Sequence, residues 1–255
     1  MNQVAKKLNV VRLSGMPILK QLQFEEMLLR QTTENWFVMN NGMPGLSIVL
    51  GFSGKIVELV DSNRVESAKM NDNKDIELIR RYTGGGTVIV DKSTFFSSFI
   101  MNNVDVPSRP YPREIMDWTE TVFKPVFENE VLTSKATFAL RENDYILDDL
   151  KIGGNAQTII KDRWVHHTSF LWDYEASNME FLLMPKKRPK YREDRDHKSF
   201  LDKIKRHIPT VIDFENLIVD ELSKKYEVKV IDSDEAEALR LGLIPSAKDV
   251  RTKVI

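Results

Sequence analysis

Apolar positions in the first half of the chain predict alternating helices and strands. Ile18, Leu19, Leu22, Met27 and Leu28 recur at helical spacing behind Pro17, so residues 18–31 read as an amphipathic helix, with Glu25, Glu26 and Arg30 on its solvated side. Residues 35–41 read as a strand entering a turn. The segment Leu46-Ser47-Ile48-Val49-Leu50-Gly51 reads as a buried strand ended by Gly51-Phe-Ser-Gly54. A charged helix is expected over 57–70. Residues 76–79 lead into a glycine-rich loop, and 88–90 and 95–100 read as a hairpin around Asp91-Lys92-Ser93-Thr94.

The second half is strand-rich. After a proline-marked loop at 107–112, residues 115–127 carry Met116, Thr119, Val122, Phe123 and Val126 on one helical face, with Pro125 expected to kink or shorten the helix. Segments 138–140, 145–147, 156–160 and 164–171 alternate like strands joined by polar turns. Residues 178–184 read as a short helix closed by Pro185, and the mixed-charge run 186–198 as mobile. Helices are expected at 200–208, 214–226 and 234–241, with a strand at 228–231. No βαβ alternation is sustained and no repeat appears. The expected fold class is α+β, a mixed or antiparallel sheet flanked by helices.

Composition narrows the function classes. Hydrophobic residues make up 42% of the 255 positions and charged residues 29%, and 37 basic against 38 acidic residues leave a net charge of −1. That balance gives no bulk attraction to nucleic acid, and no apolar run reaches the roughly 20 residues that span a bilayer, so neither partner is expected. Cysteine is absent, which removes disulfides, thiolate metal sites and any acyl-cysteine intermediate and agrees with a reducing compartment. The first 24 residues hold Lys6, Lys7, Arg12 and Lys20 with no acid, as transit peptides do. Val10–Val11 and the apolar series after Ile18 look instead like parts of the fold. A cytoplasmic protein is expected, with a mitochondrial or plastid location left open.

The candidate chemistry centres on Arg80-Arg81-Tyr82-Thr83-Gly84-Gly85-Gly86-Thr87-Val88-Ile89-Val90-Asp91. Two arginine forks suit carboxylate or phosphate, and three glycines let a ligand lie on the backbone, with N–H groups lining an anion-binding concavity. A plain flexible loop is the competing reading. The β-branched residues after the glycines exclude a Rossmann turn, and no P-loop pattern is present.

A second glycine site, Lys151-Ile152-Gly153-Gly154-Asn155-Ala156-Gln157, places a lysine suited to a phosphate or developing oxyanion beside Gly-Gly. Its alternative is a hairpin with Gly-Gly-Asn as turn residues. In Arg141-Glu142-Asn143-Asp144, the Asn and Asp can form a turn, or contact a base, a ribose or hydrated Mg²⁺. His166 and His167 are adjacent on a strand and face opposite ways, so they are not expected to chelate one metal. The 186–198 run can be a solvated loop, a phosphate lid or a contact for an acidic partner.

Together these segments resemble the lipoate–protein ligase A family of the biotin/lipoate ligase fold. Arg80 to Asp91 is similar to that family's R-R-x-S-G-G-G-x-V-x-x-D, with Thr83 for serine. Arg141 to Asp144 resembles R-N-D-L with one residue inserted. Lys151 to Ala156 resembles K-x-S/G-G-S-A, and Val165-His166-His167-Thr168-Ser169 resembles F-H-H-G-T with Thr168 for glycine. The likeness runs from the helix at Ile18 to the basic residues near Lys190.

The expected organisation is a single catalytic domain of that type over 1–255, with 200–255 a helical and stranded extension; the family's separate full-size accessory domain is not expected here, which is a departure from its pattern. The resemblance implies a two-step reaction, in which lipoate or octanoate and ATP give acyl-AMP, and a lysine of a carrier domain then takes the acyl group. Implied partners are the lipoyl domains of 2-oxoacid dehydrogenases or the glycine cleavage H protein. Lys151 is the implied catalytic residue. The implied substrate and adenylate contacts are Arg80, Arg81, Thr83, Gly84, Gly85, Gly86, Thr87, Asn143, Asp144, Gly153, Gly154, Asn155, Ala156 and His167, and Arg81 is expected to engage phosphate or carboxylate. Mg²⁺ is expected to enter with the ATP phosphates, with Asp144 the one protein ligand considered. The alternatives are a lipoyltransferase using preformed lipoyl-AMP, a biotin–protein ligase lacking the usual G-R-G-R-x-G-R-type loop, and a non-catalytic lipoate- or carrier-binding protein. An acyl-cysteine transferase is excluded by the absence of cysteine.

Overall fold

The alternating and fully apolar runs assemble into two sheets. The computed structural model describes residues 6–130, 132, 135–184, 189–243 and 250–255. The chain begins with β1 (Lys7–Ser14), α1 (Ile18–Gln31), β2 (Trp36–Asn41), β3 (Leu46–Leu50), α2 (Ile56–Leu59), α3 (Ser62–Asn71), β4 (Ile76–Arg80), β5 (Val88–Val90) and β6 (Phe95–Asn102). It continues through α4 (Pro112–Phe127), β7 (Phe138–Arg141), β8 (Asp144–Leu147), β9 (Leu150–Ile159) and β10 (Arg163–Phe170). Last come α5 (His197–Phe200), α6 (Val211–Ser223), β11 (Glu227–Ile231), α7 (Ser233–Gly242) and β12 (Lys253–Val254).

Eight strands form the larger sheet in the order β11-β1-β2-β6-β10-β9-β8-β7, and four form the smaller one in the order β12-β4-β3-β5. β1 pairs in parallel with both β11 and β2, and from β2 to β7 all pairs are antiparallel, so the larger sheet is mixed. The fold is α+β, as expected.

The apolar stripe of α4 accounts for one face of this sheet. Its Ile115, Trp118, Val122, Phe123 and Val126 are buried with Phe99, Trp164 and Phe170 of the strands and Phe214 of α6. Each such ring or branched chain contributes about 1.5–3 kcal/mol by leaving water. Pro125 falls in the last turn, where the helix runs on to Phe127 rather than stopping. α6 is started by a capping box between Thr210 and Asp213. On the opposite face, Phe24 and Leu28 of α1 pack with Val38, Ile100 and Val165, and Ile18 and Leu22 join Val49, Ile79 and Val90 of the smaller sheet.

Several expectations are corrected. Residues 88–90 and 95–100 are not a hairpin: the Asp91–Thr94 turn is present, but β5 pairs with β3 and β6 pairs with β2 and β10. The turn therefore carries the chain from one sheet to the other. The 57–70 helix is two helices, because Asp61 caps a new one by accepting the Arg64 N–H. The 200–208 helix is a short α5 followed by a 3₁₀ turn, Ile204–Arg206, and 178–184 is a 3₁₀ stretch, Ala176–Phe181. Pro185 and residues 186–188 lie outside the described residues. The next part of that run is packed, with Tyr191 and Arg192 buried in a 3₁₀ turn. β1 and β12 were not predicted as strands.

Glu25 and Glu26 are not solvated; both are fully buried. Glu26 pairs with Arg30 and accepts from the N–H groups of Arg251 and Thr252 and from the Thr252 hydroxyl. Thr252 Oγ1 in turn accepts the Tyr82 N–H at 3.2 Å, so the carboxylate fastens β12 to the start of the glycine-rich loop. Because buried donors are left short of a full acceptor, Glu26→Gln is expected to cost about 1–3 kcal/mol. A urea titration checks this; an unchanged midpoint would show that the fastening adds nothing to stability.

Candidate active site

The glycine-rich loop joins the smaller sheet to the larger. It leaves β4, and Gly84 donates its N–H to the Gln157 carbonyl of β9 at 3.2 Å. Close approach requires two glycines. Gly85 has a φ of +99°, and a Cβ there would stand 2.8 Å from Arg81 Nη2 and 3.1 Å from the Ala156 Cβ. Gly51, just after β3, lies beneath it, and a Cβ at 51 would come within 2.2 Å of the Gly85 carbonyl oxygen.

Both arginines serve this loop. Arg81 is 3% exposed and donates to the carbonyls of Gly84 (2.9 Å), Gly86 (2.8 Å) and Val49 (3.4 Å). Burial lowers its pKa to about 10, so it stays protonated at neutral pH and holds the loop by charge-assisted hydrogen bonds. Arg80 donates to the carbonyls of Phe52 (3.2 Å) and Gly54 (2.6 Å).

Lys151 is aimed by an irregularity in β9. Tyr145 is opposite Gly153 while Ile146 is opposite Lys151, so Ile152 is an extra, bulged residue. In a regular strand Lys151 and Gly154, three apart, would face opposite sides. Here a Cβ on Gly154 would lie 3.2 Å from Lys151 Nζ. Gly153 and Gly154 are thus inside a strand rather than in the turn of the alternative hairpin reading, and the turn is Asp148–Asp149, with Asp148 at a φ of 54°. Lys151 Nζ donates to Asp144 Oδ1 at 2.8 Å, and Tyr191 Oη donates to Asp144 Oδ2 at 2.9 Å. Asn143, in the tight turn before β8, accepts at its carbonyl from Asn155 Nδ2 at 3.1 Å.

The histidines face opposite sides of β10, as expected. His167 Nδ1 lies 2.8 Å from Ser98 Oγ and 3.0 Å from Glu25 Oε2, between the rings of Tyr82 and Phe96. His166 lies against Gln157 Nε2 (2.8 Å) and near the Thr168 and Thr119 hydroxyls. Burial, and after it the neighbouring His167, lower the His166 pKa from 6.5 to about 3. The unfolded chain therefore binds a proton below about pH 6.5 that the folded chain refuses until about pH 3. Stability is expected to fall with pH across that window by up to about 1.4 kcal/mol per pH unit from this group. Urea midpoints between pH 7 and 5 should decline less steeply for His166→Gln; equal slopes would contradict the assignment.

These groups surround a cavity of about 510 Å³. Of the residues singled out from the sequence, Arg81, Gly85, Gly86, Thr87, Asn143, Asp144, Lys151, Gly154, Asn155, Ala156 and His167 line it. Arg80, Thr83, Gly84 and Gly153 do not: Thr83 is buried behind the loop, and Gly153 faces the Phe170 ring. Thr94, Phe96, Met116, Gln157, Ser169 and Arg192 also line the cavity and were not singled out. Gln157 and Ser169 stand within the quoted motif segments and Arg192 within the mixed-charge run. A larger, more open depression of about 1030 Å³, lined by Lys6, Asp105, Trp118 and Tyr226 among others, holds none of the motif residues.

Comparison with known proteins bears on the fold and the family. The chain is 29% identical to the inactive lipoate–protein ligase 2 of Plasmodium falciparum, over 87% of its own length and 70% of that protein's. It spans 27% of the length of the putative lipoate–protein ligase A of Saccharomyces cerevisiae, at 28% identity. Among solved structures, a bipartite lipoate protein ligase from Thermoplasma acidophilum superposes with a TM-score of 0.69 at 17% identity, covering 94% of this chain and 92% of that one. A lipoate–protein ligase A bound with ATP superposes with a TM-score of 0.65 at 17% identity, covering 94% of each chain. Residues 17–223 match the lipoyl protein ligase A/B catalytic domain, and the chain belongs to that family.

Proposed function

We propose that this chain is a lipoate–protein ligase whose residues 1–255 act as one catalytic unit, with 200–255 as its extension. The observation that carries the reading is the Lys151 ammonium, held by Asp144 at 2.8 Å on the wall of a cavity that Gly85, Gly86 and Gly154 also line. In the first step a carboxylate oxygen of lipoate or octanoate attacks the α-phosphorus of ATP. A P–O bond forms, pyrophosphate leaves, and acyl-AMP results. In the second step the amine of a carrier-domain lysine attacks the acyl carbon, AMP leaves with the electron pair of the C–O bond, and the amine loses a proton.

Both steps place new negative charge on oxygen, and an ammonium brought to that oxygen stabilises such charge by several kcal/mol. Lys151 would swing from Asp144 to the α-phosphate and then to the acyl carbonyl oxygen. The Gly85–Gly86 backbone would lie along the acyl-adenylate, with Asn143, Asn155 and Thr87 as polar contacts and His167 closing the inner wall. Arg80, Arg81, Thr83, Gly84 and Gly153 would act by holding that wall in shape.

The residues present do not form a protein-held Mg²⁺ site. Both Asp144 oxygens already accept, from Lys151 and Tyr191, and among the described residues no group of three or more His, Cys, Asp or Glu is placed to hold a metal ion. The proposed acceptor is a lipoyl domain, such as the E2 lipoyl domain named with the Thermoplasma ligase. Among the described residues no helix is long and apolar enough to cross a membrane.

One observation favours a narrower reading. Arg81, the cation nearest the glycines, is committed to carbonyl oxygens, which leaves less charge to neutralise a triphosphate. Transfer from preformed lipoyl-AMP needs less. Incubating the protein with an apo lipoyl domain, or with apo H protein, tests the proposal, with either ATP plus lipoate or lipoyl-AMP supplied. Intact-mass analysis should show one lipoyl group on the acceptor lysine. An acceptor unmodified under both conditions would leave a binding protein.

A further inference from the structure

We infer that Tyr191 is a positioning residue for Lys151, acting through Asp144; this rests on the ligase reading of the same site. Nothing in the sequence motifs points to Tyr191, which follows the lysine by 40 positions and lies in the mixed-charge run. In the fold it bridges back to the lysine. Its ring is 7% exposed, and its hydroxyl donates to Asp144 Oδ2 at 2.9 Å while Lys151 holds Oδ1 at 2.8 Å. Burial, and after it the Asp144 charge, push the phenol well above its ordinary pKa, so it remains a donor at any working pH.

The tyrosine is itself held. The Arg141 guanidinium lies 4.8 Å from its ring centroid and the Phe200 ring 5.2 Å away, and its N–H reaches Glu142 Oε1 at 3.3 Å. Asp144 is fixed as the first residue of β8, opposite Arg141 on one side and Gly154 on the other. The carboxylate thus has one oxygen for a neutral donor that stays and one for an ammonium that must leave.

That division has a consequence for turnover. Asp144 is 5% exposed, so an oxygen deprived of its donor finds little water. Without the phenol, the carboxylate would turn both oxygens to the ammonium and hold it more firmly. Lys151 would then be slower to move onto the phosphate and acyl oxygens. The phenol keeps the lysine placed but releasable.

The test uses Tyr191→Phe, Asp144→Asn and the double variant in the full chain. For Tyr191→Phe, kcat for carrier lipoylation is expected to fall roughly 10- to 100-fold, the size set by one hydrogen bond to a charged group, with KM for the acyl substrate within about twofold. In the Asp144→Asn background the same change should add no more than about twofold. Losses that multiply, or a raised KM at unchanged kcat, would overturn the inference.

A second readout needs no turnover. Acetylation of the Lys151 amine by an N-hydroxysuccinimide ester, followed by peptide mass, should be several-fold slower in Tyr191→Phe and faster in Asp144→Asn. The double variant should match Asp144→Asn. An unchanged rate in Tyr191→Phe would overturn the positioning role even if the wild-type chain lipoylates nothing, an outcome that counts against the ligase reading alone.

Discussion

Lys151→Ala is expected to lower both acyl-adenylate formation and carrier lipoylation by at least about 100-fold, the usual loss when one preorganised charge stabiliser is removed. Its thermal and urea midpoints should fall modestly, because Asp144 Oδ1 loses its donor where little water reaches it, while the chain stays folded. The loss is limited because the side chain is only partly buried and its ion-pair partner, Asp144, keeps the Tyr191 hydroxyl. The backbone it leaves behind is pinned by other atoms: the Lys151 carbonyl still accepts from Asp202 N–H at 2.9 Å. Rapid-quench assays of each half-reaction, with denaturation on the same preparation, separate chemistry from folding. Wild-type rates in both half-reactions would remove Lys151 from the mechanism. A binding protein would show ligand affinity that tolerates the change.

Gly85→Val is the second large effect. At a φ of +99° a β-branched residue is strained wherever its side chain points. Its Cβ would also press on Arg81 Nη2 at 2.8 Å and on Ala156 at 3.1 Å. The arginine can retreat only by giving up the Gly84 and Gly86 carbonyls it holds. The wall should therefore buckle into the cavity, and lipoate or lipoyl-AMP binding should drop by at least about 100-fold, equivalent to roughly 3 kcal/mol. Isothermal titration with each ligand checks this. Unchanged affinity would mean that the glycines do not cradle the ligand.

The parts of the site legible in the sequence were those that chemistry confines to short segments. Glycines before a β-branched run, and a lysine beside a second glycine pair, each mark backbone that something approaches closely. The apolar face of α4 and the opposed histidines followed from periodicity alone. What the chain hid depends on distant residues. Glu25 and Glu26 stand on a face that looks solvated until His167 and Thr252, some 140 and 226 positions later, come to meet them. The Asp91–Thr94 turn was readable, but whether β5 and β6 pair with each other or with different sheets is decided elsewhere. The bulge at Ile152 has no local signature, though it alone brings Lys151 and Gly154 to one side. Tyr191 was submerged in a charged run whose composition suggests solvent, while its ring packs under Arg141 and against Phe200.

The most direct measurement is pyrophosphate release by the purified protein with ATP and Mg²⁺, offered lipoate, octanoate and biotin in turn. Release is expected with lipoate or octanoate and not with biotin, and the signal should be lost in Lys151→Ala. Release with biotin alone, or none from any acid together with no transfer from lipoyl-AMP to an apo lipoyl domain, would contradict the lipoate–protein ligase reading.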